Sequence, residues 1–213
     1  FLSSPEFLFH HVSGIHIPMQ SFDIIVVGGG HAGCEAALAA ARSGAKTLLV
    51  SLCHAKLSSM PCNPSIGGIA KSHLVFELDA LGGEMAKNTD FSGIQFRTLN
   101  TRRGAAVQAN RAQCDKYVYS ERMISVVDST ENLSVIQDEV ISLLISGDIV
   151  RGVLAEKFGE ISSKCVVLTA GTFLRGTIHV GHITTPGGGN GEPPSNRLAD
   201  ELRALKFRQG RVE

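Results

Sequence analysis

The chain has 213 residues, 43% of them hydrophobic and 19% charged, with 20 basic and 20 acidic side chains. That is enough for one sizeable core, and the balanced charge excludes a global basic field, so any nucleic-acid site must be a local patch. No apolar run approaches the roughly 18 residues that span a bilayer, and five cysteines without a C-x-x-C pair point to reduced thiols in a cytoplasmic protein and against a structural zinc.

Residues 1–20 lack a basic leader and a small-residue cleavage site, and they are expected to form a disordered extension. Met19 is the expected natural start, which makes residues 1–18 a tail. Residues 22–27 then read as a strand and run into Gly28-Gly29-Gly30-His31-Ala32-Gly33, a G-x-G-x-x-G turn. A helix over 34–42 and a second strand over 46–52 follow. Each glycine of the fingerprint has a physical task. Gly28 lets the chain turn tightly out of the strand, Gly30 has no side chain to block a diphosphate, and Gly33 lets the helix pack close to the strand. The helix N-terminus adds unpaired N–H groups and the positive end of its dipole. Between a strand and a helix, the motif predicts a dinucleotide site on Gly28, Gly29, Gly30, His31, Ala32 and Gly33.

A carboxylate usually ends the second strand and binds the ribose hydroxyls. Here the next acidic residue after Glu35 is Glu77. Ser51 is a neutral candidate for that task. The departure weakens a simple NAD-dehydrogenase reading and leaves the pyrophosphate site intact.

A loop over 60–68 with two prolines comes next, then a helix expected over 69–81, with Ala70, Leu74, Val75, Leu78 and Leu81 forming an apolar stripe and Gly82-Gly83 ending it. A second helix is expected over about 106–127, with a basic flank of Arg97, Arg102, Arg103 and Arg111. Three strands are expected over 134–146, 149–157 and 161–169, an antiparallel meander whose third strand carries the fully buried pattern Val166-Val167-Leu168. A Gly/Pro-rich loop over 185–195 leads to a helix over 196–205, with Ser195 as its N-cap. No later strand precedes Glu213. This order predicts an α/β chain with the FAD-binding Rossmann-like fold of the glutathione reductase type, carrying a small antiparallel β-meander and truncated at its C-terminus. Residues 21–213 form the incomplete FAD-binding domain.

Five stretches carry a resemblance: GGGHAGCEAA at 28–37, PCNPSIGGIAKSHLVFELDALGGEMAK at 61–87, GIQFRTLNTRRGAAVQANRAQCD at 93–115, VVLTAGTFLRGTIHVG at 166–181 and GEPPS at 191–195. Through them, residues 22–213 resemble the N-terminal part of the glucose-inhibited division protein A family, the tRNA uridine 5-carboxymethylaminomethyl modification enzymes. The resemblance implies an FAD enzyme that also uses NADH, with the nicotinamide site beyond Glu213. It implies a cytoplasmic homodimer, free of membrane, that acts with a GTPase partner on the wobble uridine of tRNA. A methylenetetrahydrofolate carbon and ammonia or glycine build an aminomethyl group at C5. It further implies FAD contacts at Val140, whose strand backbone can read an adenine edge, and at Ser195, at a helix start. The family loop before that serine often carries an arginine where this chain has Gly189.

Cys62, in the loop the family sets near the flavin, is the candidate catalytic thiol; Lys71 and the following helix start are its candidate electropositive neighbours. Cys34 and Cys165 are expected to be packing residues. Arg102, Arg103 and Arg111 are the candidate tRNA contacts, with Asp115 expected one helical turn from Arg111 as a competing partner. His31 is expected over the diphosphate. His73, His179 and His182 show no metal-ligand spacing, so no metal is assigned. Two other readings stand beside the leading one: a different FAD oxidoreductase, such as a folate-dependent tRNA methyltransferase relative, and a non-catalytic dinucleotide- or tRNA-binding module.

Overall fold

The computed structural model describes residues 21–61, 63–188, 193–207 and 210. In chain order it gives β1 (Ser21–Val27), α1 (His31–Arg42) and β2 (Thr47–Ser51). An inserted layer follows: β3 (Ser65–Gly67), α2 (Ser72–Ala80), α3 (Met85–Ser92), β4 (Gly93–Leu99) and β5 (Ala109–Cys114). The chain returns through α4 (Lys116–Ser129) to β6 (Leu133–Gln137), then makes β7 (Val140–Ser146), β8 (Ile149–Ala155) and β9 (Gly159–Leu168). It ends with β10 (Thr177–Val180), β11 (Ile183–Pro186) and α5 (Asn196–Ala204).

The main sheet has six strands in the order β6-β2-β1-β9-β8-β7. β6, β2, β1 and β9 run parallel, and β7, β8 and β9 form the antiparallel meander. β1 and β2 are apolar on both faces because both faces are covered, as parallel strands require. Ile25, Val27, Leu48 and Val50 join Leu198 and Leu202 of α5 in one core. Val26 and Leu49 join Cys34, Ala37 and Leu38 of α1 and Met123 and Val127 of α4 in the other. The buried stripe of α1 consists mainly of small residues, Gly33, Cys34, Ala37, Leu38 and Ala41, so the helix lies close on the sheet.

The inserted layer is tied down by a polar joint. Glu35 of α1 accepts hydrogen bonds from the Glu84 and Met85 amides at 2.6–3.1 Å, satisfying the open start of α3. The Glu84 carboxylate, 5% exposed, pairs with Arg42 at 2.7 Å and Arg122 at 2.9 Å. Arg122 also donates to Asn88 Oδ1, and Asn88 Nδ2 donates to the Tyr119 carbonyl.

Several expectations change. The helix expected over 106–127 is instead strand β5 followed by α4. Asp115 starts that helix by accepting from the Tyr117 and Val118 amides, and β5 finds ladder partners on both sides in β3 and β4. Arg111 therefore lies on a strand; it donates to Ser65 Oγ at 3.1 Å and has no helical relation to Asp115. The strand expected over 134–146 is two strands, β6 and β7. They are broken at Asp138, whose carboxylate accepts the amides of Glu139, Lys157 and Phe158 at 2.8–3.1 Å. The helix expected over 69–81 begins only at Ser72, because Ala70 sits at φ 59°, outside helical space. Of its expected stripe, Leu74 and Leu81 are 64% and 87% exposed; among the described residues nothing lies over that side. Cys165 is exposed rather than packed, and Val166, Val167 and Leu168 are only partly buried. On the α1 side, that helix packs chiefly on β1 and β2 and leaves the Cys165 and Val167 face of β9 thinly covered. Residues 1–20, Cys62 and Gly189 lie outside the described residues.

Candidate functional site

Parallel pairing of β1 with β2 on one side and β9 on the other makes the carboxyl ends of these strands a topological switch point, where α/β sheets open a crevice. A cavity of about 340 Å³ opens there. Its wall includes Gly28, Gly29 and Gly30 from the fingerprint, Ser51 at the end of β2, Val140, Thr169 after β9, and Ser195.

The three fingerprint glycines meet different surroundings. Gly28 has φ 111°, and a Cβ there would stand 2.5 Å from the Thr169 carbonyl oxygen. A Cβ on Gly33 would overlap the Gly28 carbonyl oxygen. Gly30 differs: nothing lies within 4 Å of the position its Cβ would take. Gly30 is also the N-cap of α1, with no side chain capping the helix and no acidic residue in its first turn. Glu35 is occupied with α3. The uncapped amides and the positive end of the helix dipole thus meet open space, an arrangement suited to an anion.

Thr169 closes the loop from the other side. Its Oγ1 donates to the Val27 and Gly28 carbonyls at 2.9 and 3.0 Å, and its amide donates to Val27 O at 2.9 Å. Ser51, 8% exposed, donates to the Cys53 carbonyl at 3.3 Å, and its own carbonyl accepts the Asp138 amide at 2.9 Å. Val140, 3% exposed, opens β7 opposite Ala155. Ser195 is at the N-cap position of α5, but its hydroxyl makes no capping bond. Its amide donates to Phe173 O at 2.9 Å, holding the residue against the cavity wall.

His31 is placed differently from expectation. Its ring meets Tyr119 edge to face, with centroids 5.5 Å apart, and Nδ1 is buried without a partner among the described residues. Burial pushes its pKa down, so the ring is held neutral. Cys34 lies beneath the loop with Sγ on Gly29 O at 3.5 Å, and burial pushes its thiol up, the signature of an inert packing cysteine. Arg111 lies in the inserted layer, and Arg102 and Arg103 are exposed in the connection between β4 and β5.

Sequence reasoning missed Thr169, Asp138 and Glu139 as cavity residues. The turn signal Thr169-Ala170-Gly171 after an apolar strand was available. Nothing local marked the two acids, which stand at the end of β6, next to the β2 end where a carboxylate is usual. Both are engaged: Asp138 by three backbone amides, and Glu139 by Arg197 at 3.0 Å.

Fold and loop together define the class, an α/β chain of the Rossmann-like kind with a glycine-walled crevice at its switch point. The family model described as Glucose inhibited division protein A matches residues 23–213, and the chain belongs to that family. A relative from Geobacter sulfurreducens, "tRNA uridine 5-carboxymethylaminomethyl modification enzyme MnmG", is 53% identical over 194 residues, covering 91% of this chain and 31% of the relative. The structure of Aquifex aeolicus GidA in its form II crystal matches with a TM-score of 0.84 at 51% identity, over 88% of this chain and 31% of that one. A GidA-related protein from Thermus thermophilus matches with a TM-score of 0.64 at 19% identity, over 88% of this chain and 69% of that one, a likeness of fold alone. The chain thus spans about a third of the length of the MnmG relative. Among the described residues no helix is long and apolar enough to cross a membrane.

Proposed function

We propose that this chain is the FAD-binding segment of an enzyme that modifies the wobble uridine of tRNA at C5. The observation that carries the reading is the open space in front of Gly30 at an uncapped helix start, within a loop where backbone crowds Gly28 and Gly33 and the Leu57 and Ser51 side chains crowd Gly29. That is a cradle for a diphosphate, and its continuation past Ser51 to Val140 suits the adenosine half of a dinucleotide. Family membership selects FAD among dinucleotides.

In this reading the α1 amides bind the diphosphate, the Val140 backbone meets the adenine, and Ser195 offers its hydroxyl to the cofactor from the start of α5. The flavin, when bound, supplies the redox chemistry for installing a folate-derived carbon at C5. NADH serves as reductant at a site outside these residues, and a GTPase is the partner of a cytoplasmic homodimer. Cys62 is the candidate reactive thiol, and Arg102, Arg103 and Arg111 are the candidate tRNA contacts.

Gly30→Val in a protein of family length carrying this chain tests the reading. The backbone at Gly30 (φ −74°) accepts an L-residue and the space is free, so the variant is expected to fold with unchanged circular dichroism. Flavin absorbance of the purified protein is expected to vanish. A variant that keeps full flavin overturns the assignment.

A further inference from the structure

The sheet β3-β5-β4 carries a feature that the dinucleotide site does not use. In a chain with as many acids as bases, residues 93–114 contain four arginines, Arg97, Arg102, Arg103 and Arg111, and no acidic residue. Two of them stand directly opposite each other: Arg97 of β4 is in register with Arg111 of β5. Opposed residues of an antiparallel pair share a face, with Cβ atoms about 5 Å apart, and like charges so placed repel. No ion pair relieves the repulsion. Among the described residues Arg97 has no side-chain partner and Arg111 has only the Ser65 hydroxyl.

On the same face Leu99 stands opposite Ala109 toward the connection, and none of the three strands carries an acidic residue. Gln95 is opposite Gln113, and Ser65 Oγ bridges Gln113 and Arg111, which fixes these side chains on the same side as the arginine pair. The other face takes Ala112 and Cys114 into a small core with Tyr119. Arg102 and Arg103 stand exposed in the connection at the end of the same two strands. The result is a strip, exposed at Gln95 and Arg97 and half-buried at Gln113 and Arg111, with two stacked cross-strand pairs and two more cations at its end.

We infer that this face binds an RNA backbone, with Arg97 and Arg111 holding one phosphate between them. The inference rests on the tRNA reading and names the surface that serves it, with Arg97 and Arg111 acting on one phosphate as a pair. A phosphodiester supplies the charge the arginine pair lacks. Two planar forks converging on one tetrahedral anion use the geometry at which guanidinium excels. The amides of Gln95 and Gln113 are in place to donate to the next phosphate or ribose oxygen along the strand.

Sharing makes a specific prediction for the salt dependence of tRNA binding, measured with the protein at family length. Each lost phosphate neutralisation flattens the slope of log affinity against log salt by about 0.7–0.9. If one phosphate is shared, Arg97→Ala or Arg111→Ala alone is expected to weaken binding by about tenfold while leaving the slope nearly unchanged, because the remaining arginine still neutralises the phosphate. The double variant loses a single step of slope, and Arg97→Lys keeps the slope. Thermal stability of Arg97→Ala without RNA is expected to be equal or higher, since the repulsion is removed.

Slopes that fall by one step in each single variant and two in the double would mean separate phosphates and overturn the shared site. Wild-type affinity and slope in the double variant would remove the face from RNA binding altogether. A parallel loss of flavin content would assign the arginines to the cofactor instead. Absence of tRNA binding by the unaltered protein would refute the tRNA reading itself, an outcome distinct from all of these.

Discussion

Replacing Glu84 by Gln probes the joint that fastens the inserted layer to the Rossmann-like layer. The carboxylate makes two charge-assisted bonds, to Arg42 at 2.7 Å and Arg122 at 2.9 Å. Bonds of this kind contribute about 1.5–3 kcal/mol each when buried. The arginines are 37% and 24% exposed and can turn toward water, and Gln retains one acceptor, so about 2 kcal/mol is the expected net loss. Burial alone would raise the Glu84 pKa, but the Arg42 and Arg122 hydrogen bonds outweigh it and hold the carboxyl below its usual range. A depressed folded-state pKa stabilises above the unfolded pKa, near 4.3, and that stability disappears as the pH falls through the folded value. The assay is hydrogen exchange of the α3 amides, which report opening of this joint. At pH 7 the variant is expected to exchange about thirtyfold faster than wild type in α3, with β1 and β2 unaffected. As the pH falls below the unfolded pKa the ratio should narrow, because the stability that the ionised carboxylate contributes is progressively lost. A ratio below about threefold at pH 7, or one that ignores acid, would refute the electrostatic account of the joint.

Gly33→Ala contrasts with Gly30→Val: its methyl overlaps the Gly28 carbonyl and forces α1 off the sheet, so denaturant melts should show a loss of about 3 kcal/mol. Tyr119→Phe removes a buried hydroxyl that has no hydrogen-bond partner among the described residues, and the same melts should show unchanged or slightly increased stability, by up to about 1 kcal/mol. A clear destabilisation would show that the hydroxyl has a partner in solution.

The strand–loop–helix core was legible because its signals are local. The spacing of Gly28, Gly30 and Gly33 between a strand and a helix is a local pattern, even though the Thr169 carbonyl that crowds Gly28 comes from far along the chain, and the small-residue face of α1 follows directly. The inserted layer was not legible for an equally physical reason. The buried face of β5 is made of small residues, Ala112 and Cys114, and the apolar residues of β4, Ile94 and Phe96, stand exposed, so no apolar alternation announces the strands, and Ala105, Ala106, Ala109 and Ala112 mimic helical composition. Asp115 marked the true helix start, but only the pairing of β5 between β3 and β4 decides against an earlier one. Asp138 was hidden because two of the three amides it collects belong to a turn almost twenty residues away.

The hydrogen bonds from Thr169 to Val27 and Gly28 join residues more than 140 positions apart. During synthesis, β1 and β2 can meet as soon as both exist, yet the crevice lacks its far wall until β9 has been made. Closing so long a loop costs only about 1.5 kcal/mol more than closing the β1–β2 connection if the intervening chain is flexible. The inserted layer reduces even that, since α2, α3 and the three short strands fold on themselves and, through Glu35 and Glu84, onto α1 and α4. A ligand seated across the crevice would therefore favour the state in which β9 lies beside β1 and the start of α1 is formed, linking the two ends of the described chain.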